Sequence, residues 1–214
     1  MKKRILSILL LCCMVLTMLP TTVLAADGPM DTIPKYDVSI DVYNRTSDIS
    51  IKDSRSYYIY SSVPDKLRDT WAWDKKIFIK GDKTAPHVFI DGVNIEMSPS
   101  SKGPAIELNK KASAYIYFIG KNSSLQGADG RAAIQKNRSE GQLYVLARTG
   151  TTVTCKGGDK AAGIGGSYAT RNISNGYYNG DMYGHGVNMH FGSQSNPDYW
   201  GGTIAAIGGR NGAG

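Results

Sequence analysis

The feature that most constrains this chain is a pattern of apolar segments that recurs with a 28-residue period. The pattern occupies residues 87–92, 115–120 and 143–148. A fixed period of this length indicates a repeat architecture, because each unit can bury its apolar face only against its neighbours. Residues one period apart should therefore be neighbours in space. We expect Ile106 to stack on Ile134, and Phe118 to stack on Leu146.

Each period holds three short apolar runs separated by turns rich in Gly, Asn, Asp and Ser. In the clearest period the runs are residues 105–108, 115–119 and 123–126. Runs of about five residues with β-branched and aromatic side chains are typical of strands joined by tight turns. Three strands and three turns make one coil of a parallel β-helix, in which equivalent strands lie about 4.8 Å apart. An antiparallel sandwich or propeller also uses short strands, but it does not require equivalent positions to recur at constant spacing.

The N-terminus has the three parts of a secretory signal peptide. A basic start at residues 1–4 is followed by an apolar stretch at 5–19 and by a cleavage site of small residues. Pro20 interrupts the apolar stretch, which is shorter than the roughly 20 residues of a membrane span. We therefore predict that the mature chain is exported and does not insert in a membrane. The predicted organisation is a signal peptide at 1–25, a linker at 26–36 and a β-helix domain at 37–214.

The charge of the exported chain is mildly positive. The formal net charge is +7, and removal of Lys2, Lys3 and Arg4 with the signal peptide lowers it to +4. Such an excess fits attraction to an acidic polysaccharide or to the cell wall. No cluster of Lys and Arg with interleaved aromatic residues favours nucleic acid, which is therefore not a predicted partner.

Cysteine usage excludes an internal disulfide in the exported part. Cys12 and Cys13 lie in the predicted signal peptide, which leaves Cys155 alone. Its strand spacing from Val153 is typical of a small core residue, and its own coil contains no histidine that could activate it as a nucleophile. The fold should therefore depend on its stacked core.

The last residues of the chain repeat the opening of an earlier coil. Residues 208–214 are similar to residues 157–163. A solenoid that ends there exposes a strand edge and core side chains. We therefore expect the domain to be incomplete at its C-terminal end, with any attachment to the cell surface in downstream sequence.

Several segments resemble a known family. They are residues 88–95 (VFIDGVNI), 103–108 (GPAIEL), 157–166 (GGDKAAGIGG) and 205–209 (AAIGG). From about residue 36 onward, the chain resembles the carbohydrate-binding β-helix domains of exported clostridial proteins. The resemblance implies a right-handed parallel β-helix with the shape of a pectate lyase. It also implies binding of plant or other polysaccharides without cleavage, with calcium as an occasional structural ion and no other cofactor.

The positions of the acidic residues do not favour catalysis. A polysaccharide lyase needs carboxylates that hold calcium beside a basic residue, and glycoside hydrolysis needs a carboxyl pair at a defined separation. At a 28-residue step, the stacked pairs are Asp91 with Ile119, Glu107 with Gln135, Asp129 with Gly157, and Arg131 with Asp159. No acidic column forms in this register, so we predict no catalytic residue and no enzyme activity. His87, His185 and His190 do not form a compact metal-binding motif.

Two insertions interrupt the third full coil and carry the best candidates for ligand binding. They lie at residues 167–186 and 193–200, and they are rich in Gly and Asn without a strand pattern. Sugars present apolar C–H faces, so binding modules use exposed aromatic rings beside amide and carboxylate groups. The predicted carbohydrate-binding residues are Tyr177, Tyr178, Tyr183, Tyr199 and Trp200. The alternative is that these rings fold back over the stack and cover it.

A tryptophan pair lies in the first, irregular coil. Trp71 and Trp73 occur among charged residues in the segment 63–74. The pair can cap the open end of the core or form a platform for a ligand. We favour the cap, because the first coil of a solenoid has no preceding neighbour to cover it.

Together these features predict an exported bacterial β-helix domain that binds a plant or cell-wall polysaccharide without cleaving it. The domain would be secreted or attached to the cell surface. Two alternatives stay open: a structural or adhesive stalk in which the helix is only a spacer, and a polysaccharide lyase.

Overall fold

A computed structural model describes most of the chain beyond residue 33. The described residues are 34–101, 103–109, 111–136, 140–167, 173–174, 177–178, 188–192 and 200–212. The predicted signal peptide at 1–25 and residues 26–33 of the predicted linker lie outside them. Among the described residues, no helix has the length and apolar character needed to cross a membrane.

The described residues form short β-strands joined by turns. Two single-turn 3₁₀ helices occur as well, at Asp65–Leu67 and Pro99–Ser101. The strands are β1 Val38–Asp41, β2 Ile49–Ile51, β3 Ser56–Tyr60, β4 Ile77–Lys80, β5 His87–Asp91, β6 Ile95–Glu96, β7 Ile106–Asn109, β8 Ala114–Ile119, β9 Ser123–Gln126, β10 Ile134–Lys136, β11 Leu143–Ala147, β12 Thr152–Lys156, β13 Ile164–Gly165, β14 Ile173–Ser174, β15 Tyr177–Tyr178, β16 Met189–Phe191 and β17 Thr203–Ile207.

The strands stack into three parallel sheets, which are the three sides of a β-solenoid. The first sheet has the order β1-β3-β5-β8-β11-β16, the second β2-β4-β7-β10-β13, and the third β6-β9-β12-β17. Each pair of neighbours within these sheets runs parallel, so the predicted parallel β-helix is confirmed and the antiparallel alternatives are wrong. The antiparallel pair of β14 and β15 stands apart as a small hairpin within the first insertion.

The core is built from side chains that alternate between the inside of the coil and its outer surface. In the second sheet, one inward column consists of Ile49, Ile77, Ile106, Ile134 and Ile164. All five are buried. Parallel pairing stacks equivalent isoleucines about 4.8 Å apart, so each coil covers the apolar face of the next. The predicted contact of Ile106 with Ile134 is confirmed.

The first sheet departs from a strict 28-residue step. Phe118 pairs with Ala147, and Leu146 pairs with Tyr117, so the predicted stacking of Phe118 on Leu146 is wrong. A shift of one residue moves every side chain of a strand to the other face. The observed register turns the apolar side chain of Val145 into the core, whereas the predicted register would have turned it outward. One extra residue in the preceding turn therefore preserves the inward pattern.

The step lengthens again at the third sheet of the same coil. Leu125 pairs with Cys155, although a 28-residue step predicts Val153 at that position. One of the two extra residues precedes β11, and the other lies in the turn between β11 and β12. An even change in coil length keeps inward residues inward, so this departure does not disturb the core.

Close stacking of the next corner requires glycine. Gly158 follows β12 and passes against the turn of the preceding coil. A Cβ atom at Gly158 would lie 1.9 Å from the carbonyl oxygen of Ala128, so only glycine permits this approach.

Side chains at the corners join consecutive coils where the strand ladder is interrupted. The Asn94 side-chain oxygen accepts a hydrogen bond from the Ser124 backbone N–H at 3.0 Å. The Asn122 side-chain oxygen accepts one from the Thr152 backbone N–H at 2.8 Å. Because an unpaired backbone N–H is costly, these bonds satisfy the turns and stabilise the stacking register.

The two tryptophans occupy different places in the first coil. Trp73 is buried, bridges to Ile95 of the next coil, and donates its indole N–H to the carbonyl oxygen of Arg45 at 2.8 Å. Trp71 packs against the core from the side and makes an edge contact with Tyr43, with ring centroids 5.5 Å apart. Trp73 therefore belongs to the core, and Trp71 lies at its margin.

Removal of one inward isoleucine should test the stacked core. Ile106→Ala leaves a cavity between two coils, and we expect it to lower the free energy of unfolding by about 3 kcal/mol. The measurement is chemical denaturation followed by circular dichroism. Ser50→Ala, at an exposed outward position, is the control and should change stability by less than about 0.5 kcal/mol. An effect below about 1 kcal/mol for Ile106→Ala would contradict the assigned inward column.

The Cys155 thiol should report on the integrity of the coils. It is buried, and burial raises its pKa to about 12, so it stays protonated and unreactive near neutral pH. We expect a thiol reagent at pH 8 to modify the native chain at least about a thousandfold more slowly than the urea-unfolded chain. Native and unfolded rates within tenfold of each other would contradict the burial of this side chain.

Candidate functional site

A loop between the first and third sheets stands as a wall beside the third sheet. We call residues 61–72 the wall loop. Val63 anchors it in the protein interior. The Arg68 guanidinium donates hydrogen bonds to the carbonyl oxygens of Gly92, at 3.2 Å, and Val63, at 3.4 Å. The Asn94 side-chain amide donates to the carbonyl oxygen of Arg68 at 3.0 Å. The contacts with Gly92 and Asn94 tie the wall loop to the second coil, and the contact with Val63 holds the loop together.

Gly92 is required for this attachment. Its φ of +61° lies in the left-handed region, which favours glycine. A Cβ atom at this position would lie 2.7 Å from the Arg68 guanidinium. The turn therefore leaves room for the arginine side chain, whose hydrogen bonds hold the wall loop in place.

The outer face of the third sheet forms a floor of short polar side chains. Strand pairing aligns Ser124 with Thr154, and it places Asn94 next to Ser124 on the preceding coil. Asn122 and Thr152 form a second column at the start of the same strands. Because neighbouring coils lie about 4.8 Å apart, hydroxyl and amide groups recur at a regular spacing along the axis.

Wall and floor enclose a groove of about 620 Å³, which we call the polar groove. It is lined by Asp65, Arg68, Asp69, Asn94, Gly120, Lys121, Asn122, Ser123, Ser124, Thr152 and Thr154. A smaller cleft of about 130 Å³ adjoins it, sharing Asp69, Asn94 and Ser124 and including Trp71. The two cavities place an indole ring at one end of a surface that is otherwise mainly polar.

Charges in the polar groove are paired with one another. The Asp65 carboxylate accepts hydrogen bonds from the Lys121 ammonium at 2.8 Å and from the Arg68 guanidinium at 3.4 Å. These two cations, Lys121 foremost, lower the pKa of Asp65 below its usual value. Asp65 and Lys121 are exposed, so water screens their attraction and the bridge contributes little to stability. The groove therefore carries both signs of charge in close proximity.

Of the five predicted carbohydrate-binding residues, only Trp200 has a described side chain, and it does not line this groove. Tyr177 and Tyr178 form β15, for which only the backbone is described, and Tyr183 and Tyr199 lie outside the described residues. The Trp200 ring is half-buried and packs on Tyr117, with centroids 5.1 Å apart and planes tilted by 42°. Its orientation matches the alternative in which an aromatic side chain folds back over the stack. Among these five residues, the described part of the chain shows side-chain contacts for Trp200 alone, and the role of all five in binding stays a prediction.

The outer face of the first sheet carries a second notable arrangement. His87, Tyr115, Tyr144 and His190 occupy equivalent outward positions on β5, β8, β11 and β16. We call this column the aromatic ladder. Consecutive ring centroids lie 4.7, 4.6 and 4.5 Å apart, and their planes are parallel to within 14°. The regular spacing of the coils thus stacks four rings along the axis of the solenoid.

The acidic residues of one corner also depart from the predicted register. Asp129 is adjacent to Asp159 and not to Gly157. The Asp129 carboxylate accepts a hydrogen bond from the Asp159 backbone N–H at 3.3 Å. The prediction failed because the step at this corner is 30 residues and not 28. Arg210 pairs with Asp159 at 3.3 Å and lowers the pKa of that carboxyl group. Among the described residues, no three His, Cys, Asp or Glu side chains lie close enough to hold a metal ion, and His185 lies outside them.

Comparisons with models of protein families, with curated proteins and with solved structures find no match for this chain. The resemblance to clostridial carbohydrate-binding domains therefore stays a prediction from sequence. The polar groove and its side chains are the basis for proposing a function.

The Asp65–Lys121 bridge gives a direct test of the groove geometry. We expect Lys121→Met to raise the pKa of Asp65 toward its usual value, because the strongest hydrogen bond to the carboxylate is lost. The ionised Asp65 carboxylate and its cation partners contribute to folding stability. Because the pKa is lowered in the folded state, this contribution is fully present above the usual pKa and is lost as the pH falls through the lowered value. The measurement is an NMR titration of the Asp65 side-chain carbon.

Lys75→Met is the matched control for this titration. Lys75 is a lysine paired with Asp74 instead of Asp65, so its removal should leave the Asp65 midpoint unchanged. An Asp65 pKa that is the same in the wild type and in Lys121→Met would contradict the contact across the groove.

Proposed function

We propose that this domain binds polysaccharide without cleaving it, and that the ligand lies in the polar groove. The observation that carries the proposal is the groove of about 620 Å³ with hydroxyl and amide side chains in two axial columns. Sugars are recognised by directional hydrogen bonds to their hydroxyl groups together with contact of an aromatic ring on an apolar C–H face. The floor supplies the first kind of group, and Trp71 in the adjoining cleft supplies the second.

The shape of the groove favours an extended chain over a small molecule. The floor and the cleft extend from the coil of Trp71 to that of Thr152, three steps or about 14 Å along the axis. The groove is open to solvent along the outer face of a sheet. An extended polymer can therefore enter from the side and continue beyond both ends.

Sequence features agree with this ligand class. The predicted signal peptide places the protein outside the cell, where plant and cell-wall polysaccharides occur. The resemblance to clostridial carbohydrate-binding β-helix domains also implies polysaccharide binding. We propose that the domain is secreted or held at the cell surface, with no nucleic acid among its partners.

The charges of the groove support binding over catalysis. A polysaccharide lyase needs a basic side chain that is free to remove a proton. Lys121 and Arg68 are instead both hydrogen-bonded to Asp65. We therefore propose that these groups position the wall loop and contact the ligand without reacting with it.

A stalk is the second candidate function, and a different observation favours it. The isoleucine columns continue through successive coils, and the aromatic ladder adds a stacked row outside. A continuous core and an outer ladder both stiffen a solenoid along its axis. In that case the groove would have no ligand.

The double variant Thr152→Val and Thr154→Val tests the polysaccharide proposal. Valine keeps the branched shape that suits a strand and removes only the hydroxyl groups of the groove floor. We expect about tenfold weaker binding, since each lost hydrogen bond contributes about 0.5–1.5 kcal/mol. The measurement is a glycan array, followed by calorimetry with the glycan that binds best.

Two further variants locate the site. Ser50→Ala removes an outward hydroxyl from the second sheet and should leave affinity unchanged. Trp200→Ala tests the predicted aromatic site, and under the groove proposal it should also leave affinity unchanged. Loss of binding in Trp200→Ala alone would move the site to the insertions. Absence of any glycan binding would favour the stalk, and an ultraviolet-absorbing product from pectin would show a lyase.

A further inference from the structure

We propose that the aromatic ladder is a binding site for elongated, planar aromatic molecules, which lie along the axis of the solenoid. The site is on the first sheet, whereas the polar groove is on the third sheet. It requires no ligand in the groove and does not rest on the polysaccharide proposal.

The two tyrosines of the ladder present ring edges, because each has a stacked ring on both sides. Tyr115 has His87 on one side at 4.7 Å and Tyr144 on the other at 4.6 Å, with planes parallel to within 8°. A spacing of this size is normal van der Waals contact between aromatic rings and leaves no room for a sugar between them. The half-buried tyrosines and exposed His190 therefore offer solvent a line of edges.

Neighbouring side chains border this line on both flanks. On one flank, the next outward column contains the large side chains of Phe89, Tyr117 and Leu146. The Tyr117 hydroxyl is hydrogen-bonded to the His87 imidazole at 3.0 Å, which joins the two columns. On the other flank, the corners carry the short side chain of Ser113, which is occupied by a hydrogen bond from the Gln142 backbone N–H. On the same flank, the Gln142 side-chain oxygen is hydrogen-bonded to the His190 imidazole at 2.8 Å, so side chains at both ends of the ladder are held by hydrogen bonds.

Electrostatic complementarity selects the occupant. The C–H edge of an aromatic ring is positive and its face is negative, and the hydroxyl group at the outer end of each tyrosine is also a donor, so this line attracts the π-face of a planar aromatic molecule. Four rings at about 4.8 Å per coil form a line about 14 Å long, which suits an elongated molecule lying along the axis. A sugar is disfavoured at the two tyrosines, because its C–H groups are attracted to ring faces, and neighbouring rings cover both faces of Tyr115 and Tyr144.

Thioflavin T is a suitable probe, since it is elongated and fluoresces strongly when a surface holds its rings coplanar. We expect the full exported chain to increase its fluorescence, with saturation at about one dye per chain because the line accommodates one such molecule. Replacing both tyrosines, as Tyr115→Leu with Tyr144→Leu, keeps apolar bulk but removes two ring edges. This double variant should bind the dye about tenfold more weakly.

Controls separate the ladder from other surfaces and from unfolding. Tyr43→Leu removes a half-buried tyrosine beside Trp71, away from the ladder, and should leave dye binding unchanged. Circular dichroism should show that the double variant keeps the β-solenoid at the assay temperature. Saturation with a glycan that fills the polar groove should not displace the dye.

Three results would overturn the proposal. They are no fluorescence increase with the wild type, equal binding by the wild type and the folded double variant, and displacement of the dye by the groove ligand. The first two results do not depend on the polysaccharide proposal, because its variants lie on the third sheet, and the third is measured where the glycan array identifies a groove ligand. A double variant that unfolds is replaced by Tyr144→Leu alone, for which a measurably weaker dye affinity is expected and an unchanged one would count against the ladder.

Discussion

The structure depends on parallel hydrogen bonding between coils in a register that keeps the same side chains inward. Side chains alternate between the two faces of a strand, so a shift by one residue would place apolar groups in water and polar groups in the core. The coils need not be equal in length to meet this constraint, since the step from Leu125 to Cys155 is two positions longer than the step from Ile106 to Ile134. Turns absorb the difference, and glycine and asparagine at the corners make those turns possible.

The same register creates the outer surfaces. Residues about one coil apart in sequence become neighbours. Each outer column therefore contains side chains of a similar type, repeated along the axis. On the third sheet the outward side chains are short and polar, and the wall loop beside them forms a groove. On the first sheet the side chains of one outward column are aromatic, and they form a row of stacked rings. One scaffold thus presents two chemically different faces, for which we propose different ligand classes.

Periodicity predicted the architecture but not the exact neighbours. The repeat of apolar runs was enough to predict a parallel solenoid and the contact of Ile106 with Ile134. It failed for Phe118 and Leu146, because a strict period does not reveal an added residue in a turn. Alternation within the strand was the better signal, since Leu143, Val145 and Ala147 form the inward set of β11.

The polar groove could be predicted only in part. Its floor has a sequence signal, because Asn122-Ser-Ser124 and Thr152-Val-Thr154 have alternate polar residues at equivalent places in successive coils. Its wall has no such sequence signal. The position of the wall loop depends on the hydrogen bond from Arg68 to the carbonyl oxygen of Gly92, which is distant in sequence. The aromatic ladder was not predicted, because a strict 28-residue step does not align Tyr115 with Tyr144. The two residues are 29 positions apart, since one residue is added in the turn before β11.

Scalar couplings across hydrogen bonds, measured by NMR, test the register most directly. The Gly127 N–H donates to the carbonyl oxygen of Lys156 at 2.9 Å, between the third and fourth coils. We therefore predict a coupling between the Gly127 amide nitrogen and the Lys156 carbonyl carbon. A coupling from Gly127 to Thr154, as a 28-residue step requires, or couplings typical of antiparallel strands would contradict the stacking on which both proposed surfaces depend.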